Sequence, residues 1–259
     1  MTKIDYCYHT HTFRCGHAKG KDEEYVLMAI KKGIKTLGFS DHVFLPGLSQ
    51  PGTRGEFEQL DDYIKSINYL KEKYKDQIEI HLGFECEYFP EYLDYYRSLK
   101  EKGIEYLILG QHFVSDKEGK LRYVLSNNFD YEIMPIYVDM LIKGMETGLF
   151  SYVAHPDSVY VPYAEMNDFL IASSYRICRK AKELNLPLEI NLHGLLWDNK
   201  GRMNYANENF FKIAKEIGNS VIVGVDAHEP QELDYAKYDF ATNLIDKLEL
   251  DMVSRLKLK

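Results

Sequence analysis

Seven times along this 259-residue chain, a short apolar segment of strand length gives way to an amphipathic helical one. That alternation restricts the fold more than any other feature. The strand-like segments run from Lys3 to His9, Thr36 to Asp41, Glu79 to Glu85, Tyr106 to Gln111, Tyr152 to Ala154, Pro187 to Leu192 and Val221 to Val225. Helical spacing follows from Glu23 to Lys32 with Asp22 as cap, then from Gln59 to Tyr74, Tyr92 to Lys102, Tyr131 to Thr147, Asp168 to Leu184, Glu208 to Ile217 and Leu233 to Leu248. Gly33 and Gly103 stand where a helix end calls for a positive φ. Strand–helix alternation predicts parallel strands joined by right-handed helical crossovers. One domain spanning residues 1–259 is expected, because α/β barrels commonly run to about 250 residues without dividing. The stretches from Pro46 to Gly55 and from Asp116 to Phe129 read as loops that could cover a substrate.

The ends of these strands carry the chemistry. His9-Thr10-His11 with His17 behind it, Asp41-His42, Glu85, His112, His155 and Asp226-Ala227-His228 all follow or close an apolar segment. In an extended chain residues i and i+2 share a face, so His9 and His11 can address one ion together, as can Asp226 and His228. A lone histidine is more often a packed or surface residue than a ligand. Here seven of the nine histidines fall in this set, and mere packing does not account for that. A single site fed by six strand ends suits the rim of a closed barrel better than an open sheet, which predicts a seven-stranded (β/α) barrel with its site at the C-terminal mouth.

Composition excludes other classes. The net charge of −8, with Lys and Arg interspersed among Asp and Glu, argues against a nucleic-acid partner. The 21 tyrosines, lacking a basic neighbourhood, read as packing residues and not as a base-stacking platform. Four cysteines in a chain of this length predict free thiols in a reducing compartment, not a disulfide scaffold. The opening residues carry no secretory pattern and no apolar run approaches a membrane span, so a cytoplasmic protein is expected.

The opening His-Thr-His-Thr-Phe-Arg-Cys-Gly-His, Asp41-His42, Gly83-Phe84-Glu85, Gly110-Gln111-His112, His155 and Asp226-Ala227-His228 resemble the motifs of the polymerase and histidinol phosphatase (PHP) superfamily. Length and spacing are similar to its stand-alone histidinol-phosphatase branch. The resemblance implies a distorted seven-stranded, TIM-like barrel with three divalent ions, Zn²⁺, Mn²⁺ or Fe²⁺. It implies His9, His11, Glu85 and Asp226 on the first ion, Glu85, His112 and His155 on the second, and His17, His42 and His228 on the third. Imidazoles and carboxylates suit such ions, and no thiolate is required.

The implied reaction is hydrolysis of a small phosphate monoester, L-histidinol phosphate in histidine biosynthesis, by a hydroxide bridging two ions. Three divalent ions, two carboxylates and one hydroxide leave a formal local charge of about +3, which suits a phosphate ester of about −2. Asp157 and His193 are the candidates for protonating the leaving group. Arg14, Arg54 and Arg202 are the candidate phosphate contacts. After the sixth strand the resembling enzymes read Asn, two residues, Gly-Leu-Arg, whereas this chain reads Asn191-Leu192-His193-Gly194-Leu195-Leu196. That departure leaves open a related phosphatase or phosphodiesterase acting on another small phosphorylated metabolite or nucleotide. A silent metal-binding module would show a broken ligand set, which this sequence does not.

Overall fold

The first strands are built from residues that pack on both faces, as a parallel sheet covered by helices requires. The structure, a computed structural model, describes residues 4–116, 118–125, 133–196, 201–235 and 237–258. It divides into two compact units. The first comprises Thr2–Ile108, Gly224–Ala236 and Ser254–Lys259, and the second Leu109–Val223 and Lys237–Val253.

In the first unit β1 (Tyr6–Cys7), β2 (Thr36–His42), β3 (Glu79–Cys86) and β4 (Tyr106–Leu109) form a sheet in that order. β1 pairs in parallel with β2, and β2 with β3, in a register that sets Phe39 beside Leu82 and His42 beside Glu85. The helices are α1 (Asp22–Lys31), α2 (Leu60–Tyr74), α3 (Leu93–Leu99) and the short α7 (Glu232–Tyr235). Tyr106 lies across Gly38 and Gly83, where an added Cβ would overlap its ring, and its hydroxyl donates to the Tyr8 carbonyl at 2.8 Å. Glycine at both positions is therefore a matter of close approach. Between sheet and helix, Phe84 meets Phe44 edge-on at 5.3 Å and Tyr63 at 4.9 Å between ring centroids, and all three are buried.

The second unit holds β7 (Leu188–Asn191), β8 (Ser220–Gly224) and β9 (Asp251–Met252) in one sheet, with α4 (Met134–Glu146), α5 (Asp168–Glu183), α6 (Glu208–Ile217) and α8 (Tyr238–Leu248). An antiparallel hairpin of β5 (Phe113–Ser115) and β6 (Leu121–Tyr123) completes it.

The alternating α/β order matches expectation, and several boundaries move. Gly33 and Gly103 have φ of +74° and +88°, as the helix ends require. Lys21, not Asp22, is the cap of α1, its backbone N–H donating to Glu24, and this frees Asp22 for an ion pair described below. The fifth expected strand contributes only Val153, bridged to Leu109 and to Leu188. The stretch read as a loop after Asp116 belongs partly to the β5–β6 hairpin, because Leu121, Arg122 and Tyr123 pair with Ser115, Val114 and Phe113. Residues 117 and 126–129 of that stretch, Lys3, and residues 131 and 132 lie outside the described residues. The last predicted helix divides into α7 and α8, and β9 follows unforeseen. Among the described residues no helix is long and apolar enough to cross a membrane.

Truncating Phe84 removes the ring at the centre of the Phe44–Tyr63 contact. Phe84→Ala is expected to lower unfolding stability by about 3–5 kcal/mol, read as a shift of the urea midpoint at unchanged slope.

Candidate metal centre

Strand pairing carries the first group of candidate ligands to one place. Beyond β1 the chain stays extended: Thr10 bridges Ala227 in parallel, with His11 N–H donating to Ala227 O at 2.9 Å and Ala227 N–H to His9 O at 3.2 Å. This short ladder sets His9 and His11 beside Asp226 and His228. Asp226 adopts φ +57°, a left-handed conformation that Asp tolerates better than most residues. The β2–β3 register places His42 beside Glu85. His17 arrives on the loop that follows a single 3-10 turn at Phe13–Cys15, closed by Gly16 at φ +84°.

The resulting distances are short enough for these groups to hold cations between them. Asp226 Oδ1 lies 2.9 Å from His11 Nε2 and 3.4 Å from His9 Nε2. Glu85 Oε2 lies 3.6 Å from each of those nitrogens and 3.2 Å from His42 Nδ1. His17 Nε2 and His228 Nε2 face each other at 3.0 Å, and His9 Nε2 and His11 Nε2 at 3.3 Å. Donor atoms of His11, His42 and His228 lie within 4.8 Å of one another, as do those of His9, His11 and Asp226. Imidazole nitrogens turned towards each other and towards two buried carboxylates suit borderline divalent ions, so the residues fit the metals that the sequence implies.

Protonation responds to the same crowding. Burial disfavours a charged His11, yet its contacts with Asp226 and Asp41 and the charge of Glu85 outweigh that and push it up to about 9. Burial favours a neutral Asp226, but His9 and His11 hold its carboxyl well below the usual range. His17 is pulled down by burial and by the neighbouring His11. The carboxylates thus draw positive charge into the site.

A second layer orients these groups. Asp41 stands 3.5 Å behind His11 Nδ1 and accepts from the Thr12 hydroxyl and, at 2.9 Å, from the His42 backbone N–H. Glu232 accepts from the His228 backbone N–H at 2.6 Å. Carboxylates behind ligand imidazoles fix ring and tautomer. In the sequence Asp41 stands within a motif with no task of its own and Glu232 in none; an acid one residue before a candidate ligand, and another four residues after one, are the signals that point to them. Cys15 is buried, and burial pushes its thiol up, which suits a packed thiol. All four cysteines are free. His81 pairs instead with Glu105 at 2.6 Å and Glu79 at 3.2 Å, in keeping with a structural role.

In the second unit, His112 and His155 rings pack at 4.9 Å. Asp157 is fully buried, accepts from the Asn207 backbone N–H at 2.5 Å, and is pushed up to about 7 by burial, against the pull of that N–H and of His155. His193 opens a 3-10 turn, its backbone N–H donating to Asn191 at 2.9 Å. Arg202 lies exposed on the segment after Gly201.

Two candidate phosphate contacts are occupied elsewhere. The Arg14 guanidinium donates to both oxygens of Asp22 at 3.0 and 2.9 Å and to Asp62 at 2.7 and 3.0 Å. Arg54, buried to 2% exposure, donates to Glu87 at 3.0 Å, the Val43 carbonyl at 2.9 Å and Gln50 at 2.6 Å. Both arginines hold loops in the first unit through these pairs.

Comparison with known proteins follows the same lines. Residues 8–193 match the PHP domain family. A Deinococcus radiodurans protein named "Probable histidinol-phosphatase" is 26% identical over 251 residues, spanning 92% of each chain. Bacillus subtilis histidinol-phosphatase is 24% identical over 255 residues, spanning 88% of this chain and 95% of its own. The crystal structure of histidinol phosphate phosphatase from Lactococcus lactis, complexed with Zn, L-histidinol and phosphate, superposes with a TM-score of 0.73 at 19% identity over 98% of both chains. That likeness shows an α/β fold shared with a histidinol phosphatase.

Two expectations follow. A proton must leave His11 before its nitrogen can hold a cation, so below pH of about 9 metal uptake releases protons, and apparent Mn²⁺ affinity is expected to rise with pH by up to about tenfold per unit. Calorimetry in buffers of different ionisation enthalpy reads this directly; proton release near zero at pH 7 would contradict it. In the metal-free protein the same raised value contributes stability that is complete below pH 6.5 and is lost as pH climbs through about 9. Separately, Arg54→Ala takes the guanidinium from buried Glu87 and is expected to cost about 3–5 kcal/mol in chemical denaturation; an unchanged midpoint with a raised KM would mark Arg54 as a phosphate contact.

Proposed function

We propose, from the premise that this chain belongs to the PHP domain family, that it is a divalent-metal-dependent phosphatase hydrolysing L-histidinol phosphate to L-histidinol. The observation that carries the reading is the approach of the His9 and His11 nitrogens to Glu85 and Asp226 at 2.9–3.6 Å, with His42 at 3.2 Å from Glu85 and His17 at 3.0 Å from His228 beside them. The substrate is supported by relatives named histidinol-phosphatase that match this chain along most of both lengths.

Three ions are proposed, with His9, His11, Glu85 and Asp226 on the first and His17, His42 and His228 on the third. His112 and His155 are assigned, with Glu85, to the second on the family pattern. A seven-stranded closed barrel and a cytoplasmic setting belong to the same proposal, the latter supported by four unbridged thiols. Bound there, the ions supply a water of lowered pKa and positive charge for the phosphoryl oxygens.

The chain's own residues do the rest. Glu85 reaches towards His9, His11 and His42 alike, so its carboxylate would serve more than one of the proposed ions. Asp41 and Glu232 hold His11 and the His228 backbone in place. Asp157 and His193 are the proposed proton donors to the departing alkoxide, and Arg202 is the candidate for an outer phosphate contact. Leu196, where the resembling enzymes carry arginine, favours a second reading in which a different small phosphorylated metabolite or nucleotide is hydrolysed.

Phosphate release from L-histidinol phosphate, a phosphodiester and a nucleotide panel in Mn²⁺ or Zn²⁺ separates these readings. Release from histidinol phosphate is expected; hydrolysis of the diester alone would overturn the proposal. Glu85→Ala is expected to deplete two ions per chain and His42→Ala chiefly one, measured by elemental analysis. Equal depletion in both variants would contradict the partition.

A further inference from the structure

The segment carrying His155 leaves its sheet on a side-chain acceptor in place of a main-chain one. Val153 N–H donates to Pro187 O at 3.0 Å, and Glu189 N–H to Val153 O at 2.9 Å. One more step of this parallel ladder would send His155 N–H to the main-chain carbonyl of Glu189. It goes instead to the Glu189 side chain, with Oε2 at 2.9 Å. His155 has turned to φ +28°, a region that L side chains rarely adopt. Backbone of this kind persists where the surroundings over-determine it.

The surroundings here are a short chain of hydrogen bonds along one strand. The same Glu189 Oε2 accepts from Asn191 Nδ2 at 2.8 Å, and Asn191 Oδ1 accepts from His193 N–H at 2.9 Å. The Tyr152 hydroxyl donates to Glu189 Oε1 at 3.4 Å. Glu189 and Asn191 are both fully buried. A carboxylate so deep is costly unless charge-assisted hydrogen bonds compensate it, and two of these bonds go to donors that fix the course of site-bearing segments. Glu189 and Asn191 stand two residues apart on β7, so both point to the same face.

We infer that Glu189 and Asn191 are positioning residues: Glu189 clamps the backbone of His155 in its strained turn, and Asn191 carries the same clamp to His193. Glu189 acts through the ligand and does not itself touch substrate. The inference rests on the proposed reading of His155 as a metal ligand, and deepens it by naming what aims that ligand.

The test compares metal-free wild type, Glu189→Gln, Glu189→Asp and Asn191→Ala, each titrated with Mn²⁺ against a chromophoric chelator, with circular dichroism and Tm as checks on folding. Glutamine keeps an oxygen for His155 N–H and turns its amide towards Tyr152, so its affinities are expected to match wild type. Aspartate keeps the charge but is too short to reach, and one class of ion is expected to bind about 10–100-fold more weakly. Wild-type affinity in Glu189→Asp, or equal weakening in Glu189→Gln, would overturn the inference. Asn191→Ala leaves the His155 clamp, so metal affinity is expected to hold while kcat falls by about tenfold or more at little-changed KM. An unaltered kcat would remove His193 from the claim; should Glu189→Asp fail to fold, Glu189→Gln still decides the His155 clamp, because weakened metal binding in that variant overturns it. Wild type that binds metal but releases no phosphate from L-histidinol phosphate refutes the proposed substrate and leaves the metal comparison standing.

Discussion

Two buried carboxylates set the terms for the first unit. Glu85 and Asp226, at 1% and 5% exposure, sit among five imidazoles. Removing a carboxylate from water is strongly unfavourable unless positive charge and hydrogen bonds replace the lost solvation. Protons can do part of this, which is why His11 is pushed up while Asp226 is held down. Divalent cations do it better, because each neutralises two charges and accepts several donors at once. The pull towards cations therefore follows from the cost of burying these carboxylates, before any reaction is considered.

Sheet register meets that requirement. Side chains along a strand alternate faces, so a one-residue slip of β2 against β3 would carry His42 to the opposite face and away from Glu85. The bridge between Thr10 and Ala227 does the same for His9 and His11 against Asp226 and His228. Tyr106 supports the arrangement from below, because its ring fits only over glycine at 38 and 83 and its hydroxyl ties to the backbone one residue before His9.

How much of this can be read from the chain alone depends on whether the physics is local. The alternation of strand and helix, the glycine caps and the i, i+2 spacing of ligands are local patterns, and they gave the α/β order and the cluster of His9, His11, His17, His42, Glu85, Asp226 and His228. Features decided by partners distant in sequence were not legible. Asp22 reads as a helix cap until Arg14 is seen to claim it. Leu121 to Tyr123 lack strand patterning on their own and become a strand only against Phe113 to Ser115. Tyr152 to Ala154 has the opposite fate: its apolar pattern is sound, but only Val153 forms bridges. Glu189 is, in sequence, one more polar residue in a strand, and nothing in its sequence context reveals that it accepts the backbone N–H of His155.

The fate of the arginines bears on recognition. A guanidinium binds phosphate well because its planar fork matches two oxygens, but Arg14 and Arg54 already present that fork to Asp22, Asp62 and Glu87. With those forks engaged and Leu196 in place of an arginine, the positive charge that draws a phosphate ester into an acidic protein falls mainly to the proposed cations. Selectivity among esters would then come from the alcohol portion and the loops that meet it, since cations attract phosphate whatever it is attached to. A phosphatase built this way would bind inorganic phosphate and many monoesters through the same charges, and would discriminate among them by the fit of the leaving group.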